Sequence, residues 1–280
     1  MNKSLETYFF KDLLKKEDKK LQPAIKDFYI KKNSLTKAYF LQNVDTLKLT
    51  TKQFKYYKEI GEKVLAGKDV TFDIGHRFFY NVEIDINKKV FIPQPDSELL
   101  VEKVLADYKK GEGLEIGSGT GAICIAIAKN SKIIFDAIDI NLNAIKISKR
   151  NAFNNETGKR IHFIRKSFVS LPIKEYDFIV SNPPYIKKGD ASVSNWVKEH
   201  QPKKALYSKK NGLAFIESIL EKGNNFLKPQ GKIYLEFGFE QKSAVELLVK
   251  KYYKKYTFYK DLNDNWRVVV IEIDKQEKNN

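Results

Sequence analysis

From about Lys110 onward the chain alternates short β-rich runs with helical stretches, and that alternation leaves few folds open to it. GLEIG (113–117) reads as a buried strand and AICIAIAKN (122–130) as the helix after it. KIIFDAID (132–139) is a second strand and NAIKISKRNAF (143–153) a second helix. IHFIR (161–165), YDFIVSN (176–182) and KIYLEFG (232–238) are further strands, separated by loops or by the helix GLAFIESILEKGNNF (212–226). YTFYK (256–260), a polar turn and RVVVIEI (267–273) read as a terminal antiparallel pair. Repeated β and α units imply an α/β fold, with a largely parallel sheet and helices on both faces. Its ligand is expected beyond the carboxyl ends of the central strands, where the strand order reverses.

The first 75 or so residues differ. Leu5, Tyr8, Phe9 and Leu13 share a helical face, as do Ile25, Phe28 and Tyr29, and later Phe54, Tyr57, Ile60 and Val64. Pro23, Gly61 and Gly67 are read as breaks between short helices. FFYNVEIDI (78–86) alternates as a hairpin strand does, with Asn87 and Lys88 as its turn. The predicted organisation is a small helical domain over 1–74, a β-hairpin linker over 75–92 and the α/β domain over 93–280.

Within the α/β part, Glu115-Ile116-Gly117-Ser118-Gly119-Thr120-Gly121 runs from a strand directly into a helix. Glycines let backbone approach a ligand where a Cβ would clash, and the helix start offers unpaired N–H groups. Asp139 ends the next strand, where a carboxylate can accept both ribose hydroxyls. Together they describe a site for an adenosine-containing cofactor. The spacing is G-x-G-x-G, not the G-x-G-x-x-G of nicotinamide dinucleotides. Glu115 would repel a pyrophosphate but not the ammonium of an amino-acid moiety, which favours S-adenosylmethionine, with S-adenosylhomocysteine as product. Cys124, on the following helix, is read as a small core residue.

A later strand empties into Asn182-Pro183-Pro184-Tyr185. Two prolines in succession stiffen the loop and remove two donors, leaving carbonyls free to accept. The Asn182 side-chain oxygen and the Pro183 carbonyl can each take one N–H of a planar –NH2 group. Tyr185 offers a flat surface for that group. Catalysis would then come from positioning and electrostatic alignment, not from a general base.

These stretches resemble the HemK/PrmC family, glutamine N5-methyltransferases of peptide-chain release factors. The resemblance is carried by FIPQPDSELLVEKVL (91–105), LEIGSGTGAICIAIA (114–128), YDFIVSNPPYI (176–186), HQPKKALYSKKNGLAF (200–215), LKPQGKIYLEFGFEQ (227–241) and KDLNDNWRVVV (260–270). It implies a class I (Rossmann-like) S-adenosylmethionine-dependent methyltransferase fold, seven-stranded and mostly parallel, behind a helical domain and a hairpin. It also implies methylation of the glutamine amide in a Gly-Gly-Gln loop of a release factor. Glu115, Gly117, Ser118, Gly119, Thr120, Gly121 and Asp139 would hold the cofactor, with Phe168 near its adenine. Asn182 would bridge cofactor and substrate, with Pro183, Pro184 and Tyr185 as the glutamine pocket, and the helical domain would contact the protein substrate. Four positions depart from the family pattern: Gln94 for arginine, Ser97 for threonine, Ser167 for aspartate and Gln201 for glutamate.

Composition narrows the alternatives. The chain is 42% hydrophobic and 31% charged, as a soluble globular protein is. No apolar run approaches the roughly 18 residues that span a bilayer, and the amino terminus lacks the apolar core of a secretory signal. One cysteine and three scattered histidines (His76, His162, His200) give no metal-ligand spacing. A cytoplasmic, monomeric enzyme without a metal is expected. The net charge of +16 comes almost wholly from lysines spread along the chain, the bias of an AT-rich coding sequence, and leaves room for a general attraction to RNA. Other readings stay open: an N6-adenine methyltransferase on DNA or RNA, whose substrate amine is also planar, and a glutamine methyltransferase for a ribosomal protein. A basic, non-catalytic RNA-binding factor would need neither the Asn182–Tyr185 loop nor Asp139.

Overall fold

The computed structural model describes residues 7–274, which form two compact units divided between His76 and Arg77. Among the described residues no helix is long and apolar enough to cross a membrane.

The first unit runs β1 (Thr7–Phe9), α1 (Phe10–Lys15), α2 (Leu21–Lys32), α3 (Lys37–Asn43), β2 (Lys48–Thr50), α4 (Thr51–Leu65) and α5 (Thr71–Ile74). Phe10, Ile25, Phe28, Phe40 and Ile60 form its buried centre, with Phe54 and Tyr57 beside them. A reciprocal capping box between Thr50 and Gln53 starts α4 and satisfies two otherwise orphan groups there. Two expectations need correction. Tyr8 and Phe9 do not share a helical face with Leu13; they lie exposed in β1, which pairs antiparallel with β2, so helix begins only at Phe10. Leu5 lies outside the described residues. Gly61 and Pro23 are not breaks either. Gly61 sits inside α4 because a Cβ there would lie 2.6 Å from the Ile25 side chain, so its bareness lets α2 and α4 approach. Pro23 occupies the first turn of α2, where a missing N–H costs nothing.

Next in the chain comes a hairpin, β3 (His76–Phe79) and β4 (Val82–Asp85), all of it but His76 in the second unit. Its turn is Tyr80-Asn81, with Tyr80 at φ 55°, and not Asn87-Lys88 as the alternation suggested. Asn87 instead caps a separate turn, accepting the Lys89 N–H on its side chain and the Val90 N–H on its carbonyl. Then follow α6 (Glu98–Asp107), β5 (Lys110–Ile116), α7 (Ala122–Lys129), β6 (Lys132–Asp139), α8 (Leu142–Asn154), β7 (Ile161–Arg165), β8 (Tyr176–Ser181) and β9 (Ile186–Lys187). The chain continues through α9 (Asn195–His200), α10 (Lys203–Leu206), β10 (Tyr207–Ser208), α11 (Ala214–Lys222), β11 (Leu227–Glu236), α12 (Lys242–Tyr252), β12 (Lys255–Lys260) and β13 (Trp266–Glu272).

Seven of these strands form one sheet in the order β12-β13-β11-β8-β5-β6-β7. The pairs from β11 through β8, β5 and β6 to β7 are parallel, and β13 is antiparallel to both its neighbours. This is the seven-stranded, mostly parallel sheet expected from the sequence. Helix α7 is apolar on every side because it is enclosed, packed against α6, α8, β4 and β6. The strand order reverses between β5 and β8, and this fixes where a ligand cleft can open.

Candidate active site

Strands β5, β6 and β8 end level. Ile116 lies beside both Ile138 and Ser181 in the ladder, so the glycine loop, Asp139 and Asn182 leave the sheet at one edge. Arg165 on β7 lies opposite Asp139, which brings Ser167 and Phe168 to the same rim. Leu235 lies opposite Ser181, so Glu236 abuts Asn182. A cavity of about 710 Å³ opens there. It is lined by Glu115, Gly117 through Thr120, Asp139, Phe168 and all four residues Asn182–Tyr185. Gly121 does not line it. Its φ of 80° turns the chain into α7, and a Cβ would meet Ile125, Ser148 and Phe163, so its role is packing under the loop.

The loop is shaped as a cradle. Gly117 and Gly119 have φ of 75° and 54°, and a Cβ on Gly117 would meet nothing within 4 Å, so the backbone faces open space. Asp139 holds the loop from below. One carboxylate oxygen accepts the Gly119 N–H at 2.9 Å and the other the Asn141 N–H at 2.7 Å, each keeping a lone pair for a further donor. Burial raises the Asp139 pKa, and those backbone donors oppose the rise. Asn151, fully buried on α8, gives its side-chain N–H to the Thr120 carbonyl at 2.9 Å and exchanges two hydrogen bonds with the Asp85 backbone. One side chain thus ties the loop to the hairpin.

Two buried polar atoms in the cradle lack partners, Glu115 Oε2 and Ser118 Oγ. Orphan buried oxygens are costly unless a ligand supplies donors. An adenosine-bearing ligand with an ammonium group, as S-adenosylmethionine has, answers both that shortage and the spare acceptor capacity of Asp139. The residues present therefore fit this cofactor.

Glu115 is 1% exposed, and burial lifts its pKa from 4.5 to about 8, with Asp139 adding to the rise and Cys124 opposing it. Folding favours the uncharged carboxyl. Stability from this group is thus full below its unfolded value near 4.5 and is lost as pH climbs through about 8. Glu115→Gln should gain on the wild type by several degrees in melting temperature as pH goes from about 6 to about 9 without cofactor. Melting curves that stay parallel across that range would remove this account. Cys124 is buried, its thiol pushed well above the usual range by the same burial, as befits a core residue.

The Asn182–Tyr185 loop is anchored by groups that its own sequence does not reveal. Asn182 Nδ2 donates to Ser97 Oγ at 2.8 Å, Ser97 Oγ donates to Glu236 Oε2 at 2.6 Å, and the Tyr185 hydroxyl donates to Glu236 Oε1 at 3.1 Å. Gln241 Nε2 donates to the Tyr185 carbonyl at 2.8 Å. Ser97 and Glu236 are 2% and 1% exposed. Burial drives the Tyr185 phenol well above its ordinary pKa, with Glu236 reinforcing it, so it stays protonated. A carboxylate within the apolar run KIYLEFG was the signal for Glu236, and the hydroxyl of Ser97 in IPQPDSELL the signal for its partner.

Two departures from the family pattern meet on one residue. Gln201 Oε1 accepts the Ile92 N–H at 3.0 Å, and Gln94 Nε2 donates to the Ile92 carbonyl at 2.9 Å. Neutral amides thus stand at both positions where the pattern has opposite charges. Ser167 lines the cavity beside Phe168 and accepts the Ser170 hydroxyl on its carbonyl.

Comparison with known proteins agrees with the fold. Residues 93–264 match the methyltransferase small domain. The release factor glutamine methyltransferase of Streptococcus pneumoniae is 36% identical over 80% of this chain and 81% of its own. That of Francisella tularensis is 34% identical over 77% and 79%. A methyltransferase from Pyrococcus furiosus, 18% identical, shares the fold with a TM-score of 0.51 over 69% of this chain and 90% of its own. The sheet is that of the class I S-adenosylmethionine-dependent methyltransferases. With more than a third of the residues kept across four fifths of both chains, this protein belongs to the HemK/PrmC family of release factor glutamine methyltransferases.

Proposed function

We propose that the protein methylates the side-chain amide nitrogen (N5) of the glutamine in the Gly-Gly-Gln motif of a peptide-chain release factor, using S-adenosylmethionine. The observation that carries this reading is the Asn182 carboxamide. Its Nδ2 gives one hydrogen to Ser97, and its Oδ1 accepts no hydrogen bond from the described residues, which leaves that oxygen as an acceptor for a ligand in the cavity that Asn182 lines. That acceptor and the Pro183 carbonyl suit the two N–H groups of a primary amide, and the Tyr185 ring suits its flat face.

When bound, S-adenosylmethionine supplies an electrophilic sulfonium methyl group. In this reading Asp139 accepts from the ribose hydroxyls, Glu115 and Ser118 take the amino-acid end, and Phe168 packs against the base. Asn182 and Pro183 would draw on the amide hydrogens, which favours a pyramidal nitrogen with its lone pair free to attack. As the N–C bond forms the methyl–sulfur bond breaks, S-adenosylhomocysteine is the leaving group, and one of the two amide hydrogens is lost to solvent as a proton. Tyr185 is held as a phenol and takes no proton. The helical unit is read as the part that docks on the protein substrate, and the protein as a cytoplasmic monomer, where translation ends.

The test is direct. The purified protein is incubated with labelled S-adenosylmethionine and, separately, a release factor, ribosomal proteins and nucleic acid, and the label is located by mass spectrometry. Methyl on the Gly-Gly-Gln glutamine is expected; methyl on adenine or on a ribosomal-protein glutamine instead would replace the substrate assigned here.

A further inference from the structure

We propose that Ser97 and Glu236 are positioning residues that act as a one-way hydrogen-bond relay, dictating which end of the Asn182 carboxamide faces the substrate. This rests on the amide reading of the site and adds a control that the reading does not contain.

An asparagine side chain is nearly symmetric in shape but opposite in polarity at its two ends. An amide substrate needs acceptors, so a flipped Asn182 would present a donor to a donor and repel it. Something must hold the correct end forward. Ser97 has one hydroxyl hydrogen, and an ionised Glu236 can only accept. That hydrogen therefore goes to Glu236 Oε2 at 2.6 Å, and Ser97 has only lone pairs left to offer at 2.8 Å. Only Nδ2 of Asn182 can meet them, so Oδ1 is forced to the other side. The second oxygen of Glu236 accepts the Tyr185 hydroxyl, and the relay thus also fixes the ring at the end of the same loop.

Protonation of Glu236 would release the constraint. A neutral carboxyl can donate to Ser97, Ser97 can then donate to Asn182, and the carboxamide is free to turn over. The groups facing Glu236 are Ser97 and Asp96 from the turn before α6, Tyr185 from the proline loop and Arg267 from β13. Arg267 is itself held at 3.2 Å by Asp96 and at 3.1 Å by Asp261, so it shares its charge among three carboxylates. Burial outweighs the help of Ser97, Arg267 and Tyr185 and lifts the Glu236 pKa to about 7. The relay therefore engages as pH rises through neutrality.

The test compares wild type with Glu236→Gln, Ser97→Ala and Ser97→Thr, using the acceptor that the wild type methylates. Glutamine at 236 can face Ser97 with either end, so the relay loses its direction. Glu236→Gln and Ser97→Ala should each lower kcat/KM for the acceptor by about tenfold or more, with cofactor affinity nearly unchanged. Ser97→Thr, which keeps the hydroxyl, should recover most of the loss. The wild-type rate should rise through about pH 7, and Glu236→Gln should flatten that step. A substrate-free readout accompanies the kinetics. The side-chain NH2 resonances of Asn182, assigned by their loss in Asn182→Ala, should titrate near the same pH in wild type and not in Glu236→Gln. Wild-type kcat/KM and pH profile in both Glu236→Gln and Ser97→Ala would overturn the relay, as would Asn182 resonances indifferent to pH. If no release factor is methylated but the resonances titrate as described, the substrate assignment falls and the relay stands.

Discussion

Asn182→Ala should lower kcat by about 10²- to 10³-fold while cofactor affinity stays within a few-fold of wild type. The magnitude is that of removing one preorganised polar group from a site where charge rearranges at the reacting centre. Alanine deletes the acceptor that faces the cavity and leaves Ser97 Oγ without the Nδ2 donor it now receives at 2.8 Å. Asn182 only bridges to the cofactor, which is held chiefly by Asp139 and the Gly117–Thr120 loop, so its affinity should hardly move. Steady-state kinetics with titration calorimetry separate the two effects. A variant turning over within a few-fold of wild type would dismantle the mechanism.

Asp139→Ala should behave in the opposite way, weakening cofactor binding by about a hundredfold with a smaller change in kcat at saturation. Two effects combine. The carboxylate loses its hydrogen bonds to ribose, and the Gly119 and Asn141 N–H groups lose the acceptor that shapes the loop. Asp139→Asn should fall between, since it keeps an acceptor for Gly119 but not the charge or the second acceptor. Calorimetry on the three proteins gives the order, and equal affinity in wild type and Asp139→Ala would show that the ribose lies elsewhere.

Much of this is legible in the sequence alone. Parallel strands covered on both faces are mostly apolar where they are buried, so the inner stretches of β5, β6 and β8 stand out as short runs in the sequence. The glycine loop and the proline loop are local motifs, and each carries its chemistry within a few consecutive residues. What is hidden is mostly long-range. Ser97 and Glu236 lie 139 positions apart in the chain; the level ending of β8 and β11 brings Glu236 to Asn182, and the turn before α6 brings Ser97 between them. Gly121 reads as a third cradle glycine, yet it packs beneath the loop, because α7 approaches Ser148 and Phe163 there. The hairpin turn was misplaced because Tyr80 takes a left-handed conformation that an aromatic residue seldom adopts. Asn87-Lys88 looked the better turn by residue type. Gly61 looked like a helix end because the same bareness that breaks helices also allows two of them to touch.

Asn151 sets a rule for how the molecule tolerates rearrangement. Because it clasps Asp85 and Thr120 together, the stretch from the end of the hairpin through α6 and β5 to the glycine loop is closed into a ring with a fixed circumference. Residues added or removed ahead of that clasp leave it alone. An insertion or deletion between Asp85 and Thr120 must instead be absorbed within the closed loop or pull on the floor of the cavity.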